Sequence, residues 1–84
     1  MQDNEATNNI AANVSRLLEE RGMSQRALAR AANEPVMNIS RLVHGKNEPG
    51  IGILTRIAEV LETTVDALLA PTGKSISRKN RRTA

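Results

Sequence analysis

Residues 25–49 read Q-R-A-L-A-R-A-A-N-E-P-V-M-N-I-S-R-L-V-H-G-K-N-E-P, and the folding of this stretch decides the architecture. Ser24, just before it, is a good N-cap, because its hydroxyl can accept from a first-turn N–H. Leu28, Ala31 and Ala32 then give an apolar side to a predicted helix over about 25–32. Asn33 and Glu34 form a turn. Pro35 suits a first helical position, where its missing N–H would have had no helical partner. Ile39, Leu42 and Val43 give the second helix, about 35–43, an inward side. Residues 44–50 are a loop punctuated by Gly45, Pro49 and Gly50.

Upstream, Ile10, Val14, Leu17 and Leu18 fall on one face of a helix predicted over about 9–20. Asn8 or Asn9 can cap its start, and Gly22 stands where a left-handed residue closes a helix. Downstream, Ile53, Leu54, Ile57, Ala58 and Leu61 mark a helix over about 51–61. Thr63 or Thr64 caps a short last helix over about 65–70, with Asp66 near its positive end and Pro71 beyond it. No strand alternation appears. The expected division is a disordered polar arm over residues 1–8, one helical domain over 9–70, and a flexible basic tail over 71–84.

With 84 residues the chain makes one small domain, and its core must be aliphatic: there is no Phe, Tyr, Trp or Cys. The absence of cysteine fits a reducing compartment. No apolar run approaches the roughly 20 residues of a membrane span, and the acidic polar start does not read as a signal peptide. A cytoplasmic, nucleoid-associated protein is expected. The net charge of +3 is unevenly spread. Residues 1–9 carry two acids and no base, residues 10–70 carry seven of each, and residues 71–84 carry five bases and no acid. Attraction to a polyanion must therefore come from the arrangement of charge in the domain, or from the tail.

Taken together and in order, Gln25, Leu28-Ala29, Ile39-Ser40, Gly45-Lys46 and Pro49, with I-A-E-V-L at 57–61 and D-A-L-L at 66–69, carry a resemblance. Residues 10–70 resemble the Cro/λ-repressor type of helix-turn-helix regulator, the XRE family. The resemblance implies an all-α, compact five-helix domain of the λ-repressor kind, with its third helix in the major groove of DNA. Asn33 replaces the family's usual turn Gly, and Asn is the next most tolerant residue for a left-handed conformation. Pro35 replaces a common capping Ser or Thr. Glu34 replaces a small apolar residue, for which the sequence offers no reason. Ser15 and Val43 stand where the family often pairs Arg with Glu, and losing both partners leaves no lone buried charge.

Carried over residue by residue, the resemblance implies base contacts from Val36, Met37, Asn38 and Arg41. Arg41 can donate two hydrogen bonds to guanine, Val36 and Met37 can only meet thymine methyls, and Asn38 can bond an adenine edge or a phosphate. Backbone contacts fall to Ser24, Gln25, Arg26, His44, Lys46 and Asn47, with Gln25 at a helix start where an anion is welcome. The alternatives are plainer: a solvated Arg41, a packing Val36 or Met37. His44 has no second His, Cys or acid cluster at ligand spacing, so no metal, cofactor or catalytic role is expected. A homodimer on a near-palindromic operator is expected, with Ile51, Val60, Val65 and Leu69 as candidate contacts.

The leading functional expectation is a sequence-specific regulator of transcription, a repressor that occupies double-stranded DNA as a dimer. At this length, control would fall to its concentration, a protein partner such as an anti-repressor, or proteolysis. The alternative is the antitoxin of a toxin–antitoxin pair, its tail wrapping a toxin while the domain autoregulates the operon; that tail has one large apolar residue, Ile76. RNA binding is disfavoured because no aromatic side chain offers a stacking platform. An enzyme is disfavoured further.

Overall fold

The computed structural model describes residues 5–46 and 48–71. They form five helices: α1 (Glu5–Arg21), α2 (Gln25–Ala32), α3 (Val36–Val43), α4 (Ile51–Val60) and α5 (Val65–Leu69). No strand occurs among the described residues. Helix α1 packs on α5 and α3, α2 packs on α3 and α4, and α4 reaches α5.

One correction concerns the start of the domain. Residues 5–8, expected to be disordered, are the first turn of α1, and Asn8 and Asn9 lie inside the helix rather than capping it. The apolar repeat begins only at Ile10, so periodicity marks no helix before it. The buried stripe is nonetheless longer and includes polar members: Thr7, Ile10, Asn13, Val14 and Leu18. Glu5 supports the early start with negative charge in the first turn. Residues 1–4, Asn47 and residues 72–84, and with them nearly all of the expected tail, lie outside the described residues.

The core is aliphatic, as the composition requires. Ile10, Val14, Leu28, Ile39, Ile57, Leu61 and Leu68 are its largest fully buried side chains. On α2 Leu28 and Ala32 are buried as expected, but the third inward residue is Ala29 and not Ala31, which is exposed. Val43, Leu17 and Ile53 are half-buried against the core, and Ser15 is exposed.

Four of the helix ends close by one device. A residue in the left-handed conformation stands past the helix: Gly22 at φ 64°, Asn33 at 60°, Gly45 at 69° and Glu62 at 59°. In each case its N–H and the next one reach back to the last-turn carbonyls. After α2, Glu34 N donates to Ala29 O at 2.8 Å and Asn33 N to Arg30 O at 3.2 Å. Otherwise orphaned acceptors are satisfied in this way. Two helix starts are capped by side chains: Ser24 Oγ accepts from Ala27 N, and Thr64 Oγ1 accepts from Ala67 N, both at 3.0 Å. Pro35 is the N-cap of α3 rather than its first residue, and offers no side-chain hydrogen bond.

The end of α5 is held from a distance. Asn13, only 3% exposed, donates through Nδ2 to Leu68 O and Ala70 O, both at 2.8 Å. Its Oδ1 accepts from Arg16 Nη2 at 3.3 Å. One turn earlier, Asn9 Nδ2 donates to Leu69 O at 3.1 Å. The two asparagines thus supply donors to the C-terminal carbonyls of a five-residue helix too short to be stable alone.

Candidate nucleic-acid interface

Ile39 and Leu42 anchor α3 to the core, and this fixes which residues face outward. Spacing by three and four places Met37, Ser40, Arg41 and His44 on the opposite side. Met37 is 61% exposed, and Val36, Arg41 and His44 are also exposed, while Ser40 is half-buried. Arg41 makes no ion pair or hydrogen bond through its side chain to any described residue. His44 donates from Nδ1 to Ser40 O at 2.7 Å, which assigns that ring nitrogen its proton and leaves Nε2 unengaged.

Asn38 does not join this stripe. It is half-buried on the flank of α3, and its Nδ2 donates to Glu34 Oε1 at 3.2 Å. It lines an open cleft of about 290 Å³ together with Leu42, Glu48, Pro49, Gly50 and Ile53.

The backbone candidates gather at the start of α2 and the end of α3. Ser24 uses its oxygen as the α2 cap but keeps its hydroxyl proton for an outside acceptor. Gln25 is half-buried and Arg26 exposed, and their main-chain N–H groups, in the first turn of α2, have no helical acceptor. Lys46 is exposed, its own N–H closing α3 on Arg41 O at 2.8 Å. Asn47 is outside the described residues. Of the four expected dimer residues, Ile51 (69%) and Leu69 (36%) are exposed; Val60 and Val65 are half-buried on the core of their own protomer.

Charge partnering separates the molecule into two parts. The described ion pairs are Arg16–Glu20 at 3.1 Å, Arg21–Glu62 at 2.9 Å, and Arg56–Glu34. The cations without a described ion-pair partner are Arg26, Arg30, Arg41 and Lys46, all on α2, α3 or the residues just after. Residues 24–46 hold these four and one carboxylate, Glu34, a net +3; the rest of 10–70 holds three cations and six carboxylates, a net −3. A domain neutral in total is therefore polarised, with its positive end on the helix pair. Position along the chain shows the imbalance; that the pairing leaves these four cations unengaged needs the fold.

The helix-turn-helix family model HTH_3 matches residues 14–68. Among solved structures, an HTH_3 family transcriptional regulator from Vibrio cholerae is 27% identical, with a TM-score of 0.70 over 75% of this chain and 35% of its own. A hypothetical transcription factor from Neisseria shares the fold at 20% identity and TM-score 0.76, over 84% of each chain. The hydroxypropylphosphonic acid epoxidase from S. wedmorenis aligns at 29% identity and TM-score 0.74, over 84% of this chain and 38% of its own. The chain thus spans little more than a third of the Vibrio regulator and of the epoxidase. No curated protein matches it. The matched residues take in part of α1, all of α2 to α4 and most of α5, and the chain belongs to the HTH_3 family of helix-turn-helix DNA-binding domains.

Proposed function

We propose that this protein is a sequence-specific regulator of transcription that places α3 in the major groove of an operator. The observation that carries this reading is the set of cations on α2, α3 and the following residues that have no ion-pair partner among the described residues, on a domain otherwise negative. Such a charge distribution orients the domain toward a duplex before contact. Arg41 reads a guanine, and Met37 and Val36 meet thymine methyls beside it. Ser24, Gln25, Arg26, His44, Lys46 and Asn47 hold phosphates and set the register. Asn38, engaged by Glu34, contributes to the pose of the helix more than to readout.

The binding unit is a homodimer, with exposed Ile51 and Leu69 as the apolar groups available to a second copy. Occupancy of the operator represses transcription, with no chemistry performed by the domain. The fold shared with a transcriptional regulator supports the reading. No helix among the described residues is long and apolar enough to cross a membrane.

Selection of bound sequences from random duplex DNA tests the proposal. An inverted repeat with half-sites about 34–36 Å apart, or a multiple, is the expected product. A single half-site would remove the dimer, and recovery of no preferred sequence would remove the function. Sedimentation as a monomer at micromolar concentration would restrict dimerisation to the DNA-bound state.

A further inference from the structure

Glu34 stands in the turn that aims α3, immediately before the N-cap Pro35. Its side chain is only 10% exposed. One carboxylate oxygen accepts from Asn38 in the first turn of α3, and the other pairs with Arg56 on α4. Since Pro35 provides no side-chain cap, this carboxylate is the acidic group at the positive end of the helix dipole. A carboxylate there is favourable for the helix but unfavourable near phosphates unless it is neutralised.

We infer that Glu34, Asn38 and Arg56 form a clasp that positions α3 for DNA recognition, and that Arg56 controls operator affinity without touching DNA. The inference rests on the DNA-binding function proposed above. Removing Arg56 leaves a nearly buried carboxylate without its cation, a loss more damaging than removal of both partners. The uncompensated charge relaxes by pulling Glu34 toward water, which releases Asn38 and loosens the α2–α3 turn from α4. Glu34 and Arg56 are therefore positioning residues, and sequence discrimination should respond to them as well as stability.

The test uses the full chain, with the operator and a scrambled duplex as ligands. Arg56→Ala is expected to weaken operator binding about tenfold while scrambled DNA is bound nearly as before, less than the loss from a fully buried pair because Arg56 is itself half exposed. Adding Glu34→Gln to Arg56→Ala should restore most of the loss, because the neutral amide still accepts from Asn38. Adding Glu59→Gln instead gives the same net charge but keeps Glu34 unpaired, and should restore nothing.

If Arg56 holds a phosphate itself, Glu34→Gln will not rescue, and the inference is overturned. Equal rescue by Glu59→Gln would also overturn it, since overall charge would then explain the result. Circular dichroism melts accompany each variant. A loss fully accounted for by the unfolded fraction at the assay temperature would reduce the clasp to a structural contact and overturn it as well. Parent protein that selects no operator ends the DNA-binding reading and the clasp together, whereas a parent that selects one and an Arg56→Ala variant that binds it equally well end only the clasp.

Discussion

Helix α1 engages its polar side chains with the carbonyls of α5 and with one another; the cations of α2 and α3 meet no described counterion. On the first pair, Asn9 and Asn13 close the carbonyls of α5, and Arg16 bonds both Asn13 and Glu20. On the second, Arg26, Arg30, Arg41 and Lys46 meet no described counterion. Both pairs lean on the same aliphatic core, so burial does not separate them. The difference lies in what the polar groups do once burial has fixed the helices. Paired polar groups mark the supporting end of the domain, and cations without a described counterion mark the face proposed to meet DNA.

The most severe test removes the support shared by both regions. Ile39 is fully buried and, with Leu42, seats α3 on the core. Ile39→Ala should cost about 2–5 kcal/mol, from lost burial and the cavity left behind. In a domain this small that is a large part of the total, commonly about 5–15 kcal/mol. Thermal melting should show one cooperative transition at a lower temperature, with DNA binding lost in step with the folded fraction. Binding lost well below the transition would mean that α3 moves independently of the core.

The sharpest contrast sets Asn13 against Arg41. Asn13→Ala leaves the carbonyls of Leu68 and Ala70 without their buried donor, a loss of about 1–3 kcal/mol. Stability should fall, and the preferred DNA sequence of the folded fraction should not change. Arg41→Ala should do the reverse: stability within about 0.5 kcal/mol of the parent, as for a surface change, and about 1–3 kcal/mol less discrimination at one base pair. Chemical denaturation and competition binding on both variants check the pair. If Arg41→Ala weakens all duplexes equally, Arg41 touches phosphate; if Asn13→Ala alters the preferred sequence, the two ends of the domain are not separable.

What the sequence reveals follows the range of the interactions. The helix starts at Ser24 and Thr64, and the left-handed stops at Gly22 and Asn33, are set by residues a few positions apart, and their chemistry is readable locally. Asn13 has partners 55 and 57 residues away, and Glu34 meets Arg56 22 residues on, so nothing near either position announces its role. That is why Glu34, unexplained within its own turn, becomes intelligible only once α4 is packed beside it. Ala29 and Ala31 were interchangeable to a periodicity argument because neither has enough side chain to weight one face. On α3, the exposed stripe was legible because Ile39 and Leu42 fix its opposite side, whereas the sideways engagement of Asn38 depended again on Glu34.

The smallest expected effect compares the left-handed turn after α2, in the open region, with the one after α4, which leads into α5 of the supporting region. Asn33 and Glu62 both sit at φ near 60°. A left-handed conformation costs most L-residues roughly 1–2 kcal/mol, but Asn much less, and Gly nothing sterically. Gly in exchange loses more chain entropy on folding, roughly 0.5–1 kcal/mol. For Asn33→Gly these terms nearly cancel, and stability should shift by no more than about 0.5 kcal/mol. Glu62→Gly relieves more strain but gives up the Arg21 pair, a surface contact worth about 0–1 kcal/mol. Salt decides between these terms, because it screens the lost pair and leaves the relieved strain untouched. Glu62→Gly should therefore be close to neutral at low ionic strength and stabilising by about 0.5 kcal/mol at high. Denaturant melts at two salt concentrations resolve this, and destabilisation of Glu62→Gly that persists at high salt would show that Glu62 holds the α4–α5 turn by something other than its charge.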